Sequence, residues 1–289
     1  MTKEPGTLVF FLGGYDLEMV TIRDLLAAER KPFWDKHLAW GAKASAYTAE
    51  IEPILARGQT PVLIELQPDL PLGGECVLVD HHGERAGRDR PTALEQVFAL
   101  LQLPAARWTR WFALVAANDR GHIRAMLALD PSATPDELRK VRAADRAAQG
   151  ISADEEQQAA RAVAAARVLA EGRLTVVQLP HDRVAAAADQ LDSALGGAGY
   201  ENLLVYTPRE VNFFGYGKVI ARLVQQYPDG WFGGSLPDHG FWGCRGVQPS
   251  PAEIAALIES SSIDAEKTGL REPCPDGIVT PPSHRGLFS

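Results

Sequence analysis

Cysteine is scarce in this sequence. Three occur in 289 residues, Cys76, Cys244 and Cys274, scattered and with no CxxC pair. That odd count argues against a disulfide framework and against a cysteine zinc site. No apolar run approaches the roughly 20 residues of a membrane helix, and Met1 to Gly6 carry no apolar core of a signal peptide. Positive charge is also in deficit, with 29 Lys and Arg against 37 Asp and Glu and a formal net charge of −8. Such a chain has no global basic field to hold long duplex DNA, although local cations can still meet a small anionic ligand. The expectation is a soluble, cytoplasmic protein with no membrane partner. Hydrophobic residues, in contrast, make up 46% of the chain, enough for a sizeable core or two.

The sequence turns on Val77-Leu78-Val79-Asp80-His81-His82-Gly83. Three apolar residues predict a strand buried on both faces of a parallel sheet. A carboxylate and two imidazoles follow at its end, where ligands of open α/β sheets sit. Carboxylate beside imidazole suits Mn, Fe or Zn. The competing reading is a surface loop with two histidines. After it, Pro91 and Thr92 suit a helix start, and a helix N-terminus favours an anion.

Other acids stand at the ends of apolar segments. Residues 7–12 read as a first buried strand, followed by Gly13-Gly14 and then Asp16 and Glu18. The glycines serve either a ligand's close approach or an ordinary tight turn. The two acids could point into one crevice or simply complement a helix dipole. Residues 61–66 form the second strong strand, with Glu65 near its end and Asp69 as a rival. Residues 31–58 are expected to be mostly helical. The apolar stretch 111–117 runs into Asp119, a further acid and equally an N-cap for a helix at 123–129.

Asp80-His81-His82 at a strand end resembles the signature of the DHH phosphoesterases, which include RecJ-type nucleases, nano-RNases, cyclic-dinucleotide phosphodiesterases and family II inorganic pyrophosphatases. Asp16, Glu65, Asp80 and Asp119 follow in that family's order. The chain departs from the pattern at Leu12, which stands in the place of a histidine, and at Glu18 and Glu65, where the family has aspartates. The resemblance implies Mn²⁺ or another divalent cation, one or two per chain. Its ligands would be Asp16, Glu18, Glu65, His81 and Asp119. It further implies that Asp80 orients His81, that His82 faces the phosphate, and that Thr92 lies near substrate. Arg85 is a candidate phosphate contact. The glycine-rich segment 231–243 resembles the family's phosphate-holding segment, making Gly233, Gly234 and His239 candidates, with Lys218 and Arg245. Glycine-rich turns with aromatics are also common hairpin corners.

The chain is therefore expected to be α/β, with an N-terminal parallel-sheet DHH-type domain (1–130) and a helical linker (131–172). A smaller C-terminal α/β domain (173–249) and a tail (250–289) would follow. Strands are expected at 174–179 and 203–206, helices at 184–195, 217–226 and 253–260. The implied function is hydrolysis of a small phosphodiester in the cleft between domains. The alternatives are a degenerate nucleotide-binding or regulatory protein and a pyrophosphatase-like enzyme. The partner is a small phosphorylated or nucleotide substrate, and a homo-oligomer is compatible with the sequence.

Overall fold

Two apolar runs, β1 (Leu8–Leu12) and β3 (Thr60–Ile64), form the centre of the first sheet in the computed structural model, which describes residues 7–71 and 75–267. With β2 (Phe33–Trp34) and β4 (Val77–Val79) they make a four-stranded sheet in the order β2-β1-β3-β4. All its pairings are parallel. Residues after the first in β1 and β3 are buried, as expected of parallel strands covered on both faces. β4 differs from the expectation. It is an edge strand, and Leu78 is 37% exposed. Three consecutive apolar residues fit an edge as well as a centre.

Helices α1 (Leu17–Ala28), α3 (Ala93–Leu100), α4 (Arg110–Leu129) and α5 (Pro135–Ala148) cover one face. Their Met19, Ile22, Leu94, Val115 and Leu138 pack with Phe10, Leu12 and Ile64. On the other face, α2 (Thr48–Ala56) sets Ile51 and Ile54 against Val9, Phe11 and Leu63. Residues 31–58 are thus not mostly helical: β2, a loop and a single 3-10 turn precede α2.

The second sheet has six strands, β5 (Arg167–Leu169), β6 (Leu174–Gln178), β7 (Asn202–Tyr206), β8 (Glu210–Tyr216), β9 (Trp231–Gly233) and β10 (His239–Arg245). Their order is β5-β6-β7-β8-β10-β9, and only β6 and β7 pair in parallel. α6 (Ala153–Ala164) and α7 (Val184–Leu191) lie on one face. On the other lie α8 (Gly217–Gln226) and α9 (Pro251–Lys267), the latter burying Ile254 and Ile258. The glycine-rich segment is a hairpin of β9 and β10, the reading left open by its composition. The helical stretch after residue 131 divides between the sheets, with α5 packed into the first core and α6 into the second. No helix among the described residues is long and apolar enough to cross a membrane.

Candidate metal centre

Because β1, β3 and β4 are parallel, the residues following them converge at one edge of the sheet. Gly13 follows β1, and a Cβ there would lie 2.5 Å from the Glu65 carbonyl oxygen and 2.6 Å from that of Ile64. Only glycine lets the two strand ends approach this closely. Glu65 itself sits in the left-handed region at φ 50°, unusual for a non-glycine residue and held by its N–H donating to the Val79 carbonyl at 2.8 Å. Leu12 is buried, and its carbonyl accepts the Tyr47 hydroxyl at 2.7 Å.

His81 is the hub. Its Nε2 lies 2.5 Å from Asp119 Oδ2, 3.3 Å from Glu65 Oε1 and 3.6 Å from Glu18 Oε2. All four atoms are buried and none makes a hydrogen bond. Each such orphan ordinarily costs about 1–3 kcal/mol, so four facing one another call for an explanation. Glu65, His81, His82 and Asp119 bring one donor atom each within 4.8 Å of one another, a set that could hold a metal ion. The mix of carboxylate and imidazole fits a divalent transition metal.

The supporting bonds orient these groups. The other oxygen of Glu18, Oε1, accepts the Leu94 N–H at 3.0 Å at the start of α3. The anion at that helix N-terminus is therefore Glu18. Asp119 lies in α4 two residues before a break at Gly121 and His122, whose backbone is not helical. It therefore lies inside a helix whose N-cap is Thr109, neither at the end of the apolar segment nor as the N-cap of a helix at 123–129. Asp16 caps α1 by accepting the Met19 N–H at 2.8 Å. Asp80 turns to His82, accepting its N–H at 3.0 Å and meeting its Nδ1 at 3.1 Å, while Arg85 donates to Oδ2 at 3.2 Å. The expectation that Asp80 orients His81 is corrected here: the chain turn places Asp80 Oδ1 beneath the second histidine.

The electrostatics follow from crowded acids. Burial draws the His81 imidazole down, but the carboxylates of Asp119, Glu18 and Glu65 outweigh it and hold it well above the usual histidine value. Burial also opposes the charged form of His82, yet Glu65 and Asp80 raise it overall. Burial, followed by repulsion from Asp119 and Glu65, lifts Asp16 well above the carboxylate range, and burial with Glu18 lifts Asp119. A divalent cation would remove this conflict.

Several expected contacts lie elsewhere. Thr92 is buried as the N-cap of α3, in a capping box with Glu95, so its hydroxyl serves the helix. Lys218 donates to the Ser261 carbonyl at 3.0 Å and faces α9 rather than the cleft. Arg245 pairs with Glu210 at 3.3 Å and lies over Trp231, 5.6 Å from its ring centroid. Asp69 accepts from Ser45 on the surface. Gly233 does reach the centre: a Cβ there would stand 3.4 Å from His82 and 2.7 Å from Phe241. His239 and Gly234 line a separate cavity of about 430 Å³ with Arg124 and Ser235. Burial and Arg124 lower His239 to a pKa of about 4, keeping it neutral.

Two groups escaped the sequence reading. Arg142, fully buried in α5, donates to Asp189 of α7, to Asn118 beside Asp119, and to Asp145, each at 2.8 Å. Asp145 in turn accepts the N–H of Leu17, between Asp16 and Glu18, at 3.2 Å. Nothing in an Ala/Arg/Glu-rich stretch distinguishes such an arginine from a solvated one. The second group is Trp40 and Trp231, distant in sequence, whose ring centroids meet 5.5 Å apart.

No protein-family model and no curated protein matches the sequence. The chain is similar to several solved structures. They include RecJ from Thermus thermophilus in complex with Mn²⁺ (13% identity, TM-score 0.44, 93% of this chain and 53% of that one). An exopolyphosphatase-related protein from Bacteroides fragilis (10%, 0.43, 92% and 94%) is another. A third is the pGpG-specific phosphodiesterase PggH from Vibrio cholerae (13%, 0.30, 92% and 99%). The chain thus spans about half the length of the Thermus RecJ.

Proposed function

We propose that the protein is a metal-dependent phosphoesterase that hydrolyses a small phosphodiester, a short oligonucleotide or nucleotide derivative, in the cleft beside His81. One observation carries this reading: the buried, bond-free atoms of Glu18, Glu65, His81 and Asp119 all point at one spot. Those four residues would hold a divalent cation, Mn²⁺ by preference for this donor set. Asp16, with one oxygen committed to capping α1, would join Glu65 at a weaker second position. When bound, the metal supplies an acidified water and polarises the phosphoryl oxygen.

The remaining chemistry belongs to the chain. Asp80 takes Nδ1–H of His82 and fixes the ring, leaving Nε2 to carry a proton toward a phosphate oxygen or leaving group. Gly233, without a side chain, lets the hairpin close against that ring.

Elemental analysis and turnover of short phosphodiesters and pyrophosphate test the proposal. His81→Ala should abolish tight metal binding, whereas Asp16→Ala should spare the first metal and damage turnover. Full metal retention in His81→Ala would exclude these residues as a ligand set. A second reading, a binding protein that has lost catalysis, is favoured by the buried Leu12 where the resembled family has a histidine ligand. It predicts metal and ligand binding without turnover.

A further inference from the structure

A slot of about 260 Å³ opens beside the metal centre. Glu65, Asp80 and His82 line it together with Trp40, Trp231 and Phe232. Trp40 comes from the loop between β2 and α2 and is 41% exposed, and Trp231 comes from β9 of the second sheet. Their indoles meet at 60°, and Trp40 stands edge-on to His82 with centroids 5.7 Å apart. The close approach depends on Gly14, where a Cβ would lie 2.7 Å from the Trp40 Cα. Arg245 lies over the Trp231 ring, itself held by Glu210. Among the described residues no Lys or Arg lines this slot.

That lining decides between substrate classes. An inorganic pyrophosphate or polyphosphate would need cations along its length and has no apolar surface for indoles to cover. A planar heteroaromatic ring has a π-face that stacks on tryptophan whatever its substituents. The volume falls below the roughly 300–1,000 Å³ of drug-sized sites, which suits one ring system. We propose that Trp40 and Trp231 are specificity-determining residues that receive the base of one nucleotide unit whose phosphate lies at the metal centre. This rests on reading the cluster as a metal-bound phosphate site. Arg245 is then a support for Trp231 rather than a phosphate contact.

Calorimetry and tryptophan emission on the Mn²⁺-loaded protein test it, with AMP, ribose 5-phosphate and inorganic phosphate as probes. AMP should bind about tenfold more tightly than ribose 5-phosphate, in the range that one base stacked on an aromatic confers, and quench emission. Trp40→Ala and Trp231→Ala should each bring AMP close to ribose 5-phosphate while leaving the latter and phosphate unchanged. Trp40→Phe should keep most of the preference, and because Trp40 is on a loop it serves even if the Trp231 variant misfolds. Equal affinities for the two sugar phosphates, or a preference that survives in Trp40→Ala, overturn the proposal. If phosphate and ribose 5-phosphate bind but the base adds nothing, only the slot assignment fails. If no probe binds the metal-loaded protein, the phosphate-site reading falls as well.

Discussion

Among single residues, His81 faces the sharpest conflict, since three carboxylates approach one nitrogen. In metal-free protein those acids hold it protonated. A group with a raised folded pKa contributes stability in full below its ordinary value of about 6.5, and loses that contribution as pH climbs through the raised value. His82 is shifted the same way, and the raised carboxyls of Asp16 and Asp119 likewise disfavour the fold as they ionise. Chelator-treated protein should therefore melt higher at about pH 6 than at about pH 8.5, and His81→Gln should remove much of that difference. Saturating Mn²⁺ should reverse the trend, because the ion displaces the proton. A metal-free melting temperature that climbs over this range would show that the imidazole is not held charged. This much was legible in Asp80-His81-His82 and in the acids ending apolar stretches. Which histidine Asp80 serves was not, because that depends on the path of one turn.

Elements explain why those acids meet at all. Gly13 brings the end of β1 against Glu65, and Glu65 keeps its left-handed backbone because its neighbours hold it there. Gly13→Ala would drive a methyl group into two carbonyl oxygens, and backbone cannot step aside as a flexible side chain can. We expect a loss of about 1–3 kcal/mol in urea unfolding and weaker Mn²⁺ binding, because Glu65 shifts with its turn. An unchanged midpoint would mean that the strand ends do not approach so closely. β1, β3, β6 and β7 were legible as apolar runs, and α8 as a helix at 217–226. β8 was not, and neither were β9 and β10, since Gly233, Gly240 and Gly243 make that segment read as a glycine-rich turn. In the sheet two of these glycines make room for rings: a Cβ on Gly243 would lie 2.5 Å from Trp231, and one on Gly233 would strike Phe241. β2 was hidden by its two-residue length.

Across the whole molecule, a buried charge network ties α5, packed on the first sheet, to α7, packed on the second. Arg142 bridges Asp145 of its own helix and Asp189 of α7, and Arg146 also pairs with Asp189. The exposed pair of Arg88 and Asp238, at 2.6 Å, is a second tie between the sheets, but one that water and salt weaken. Losing one partner of a buried pair leaves the other charge uncompensated. Arg142→Met should thus cost about 3–5 kcal/mol, since Asp145 and Asp189 would keep their charge and lose their main cation. Asp189→Asn should cost less, because Asp145 still balances Arg142. In Arg142→Met/Asp189→Asn the damage should fall short of the sum of the singles by more than about 1 kcal/mol, as contacting charges couple. Urea unfolding of the four proteins measures that coupling. Strict additivity would mean that the contact does not join the sheets. The network also touches Asn118 and Leu17, neighbours of Asp119, Asp16 and Glu18. Mn²⁺ affinity should therefore fall in Asp189→Asn, although Asp189 makes no contact with the metal centre, and calorimetry on the folded variant would detect the change.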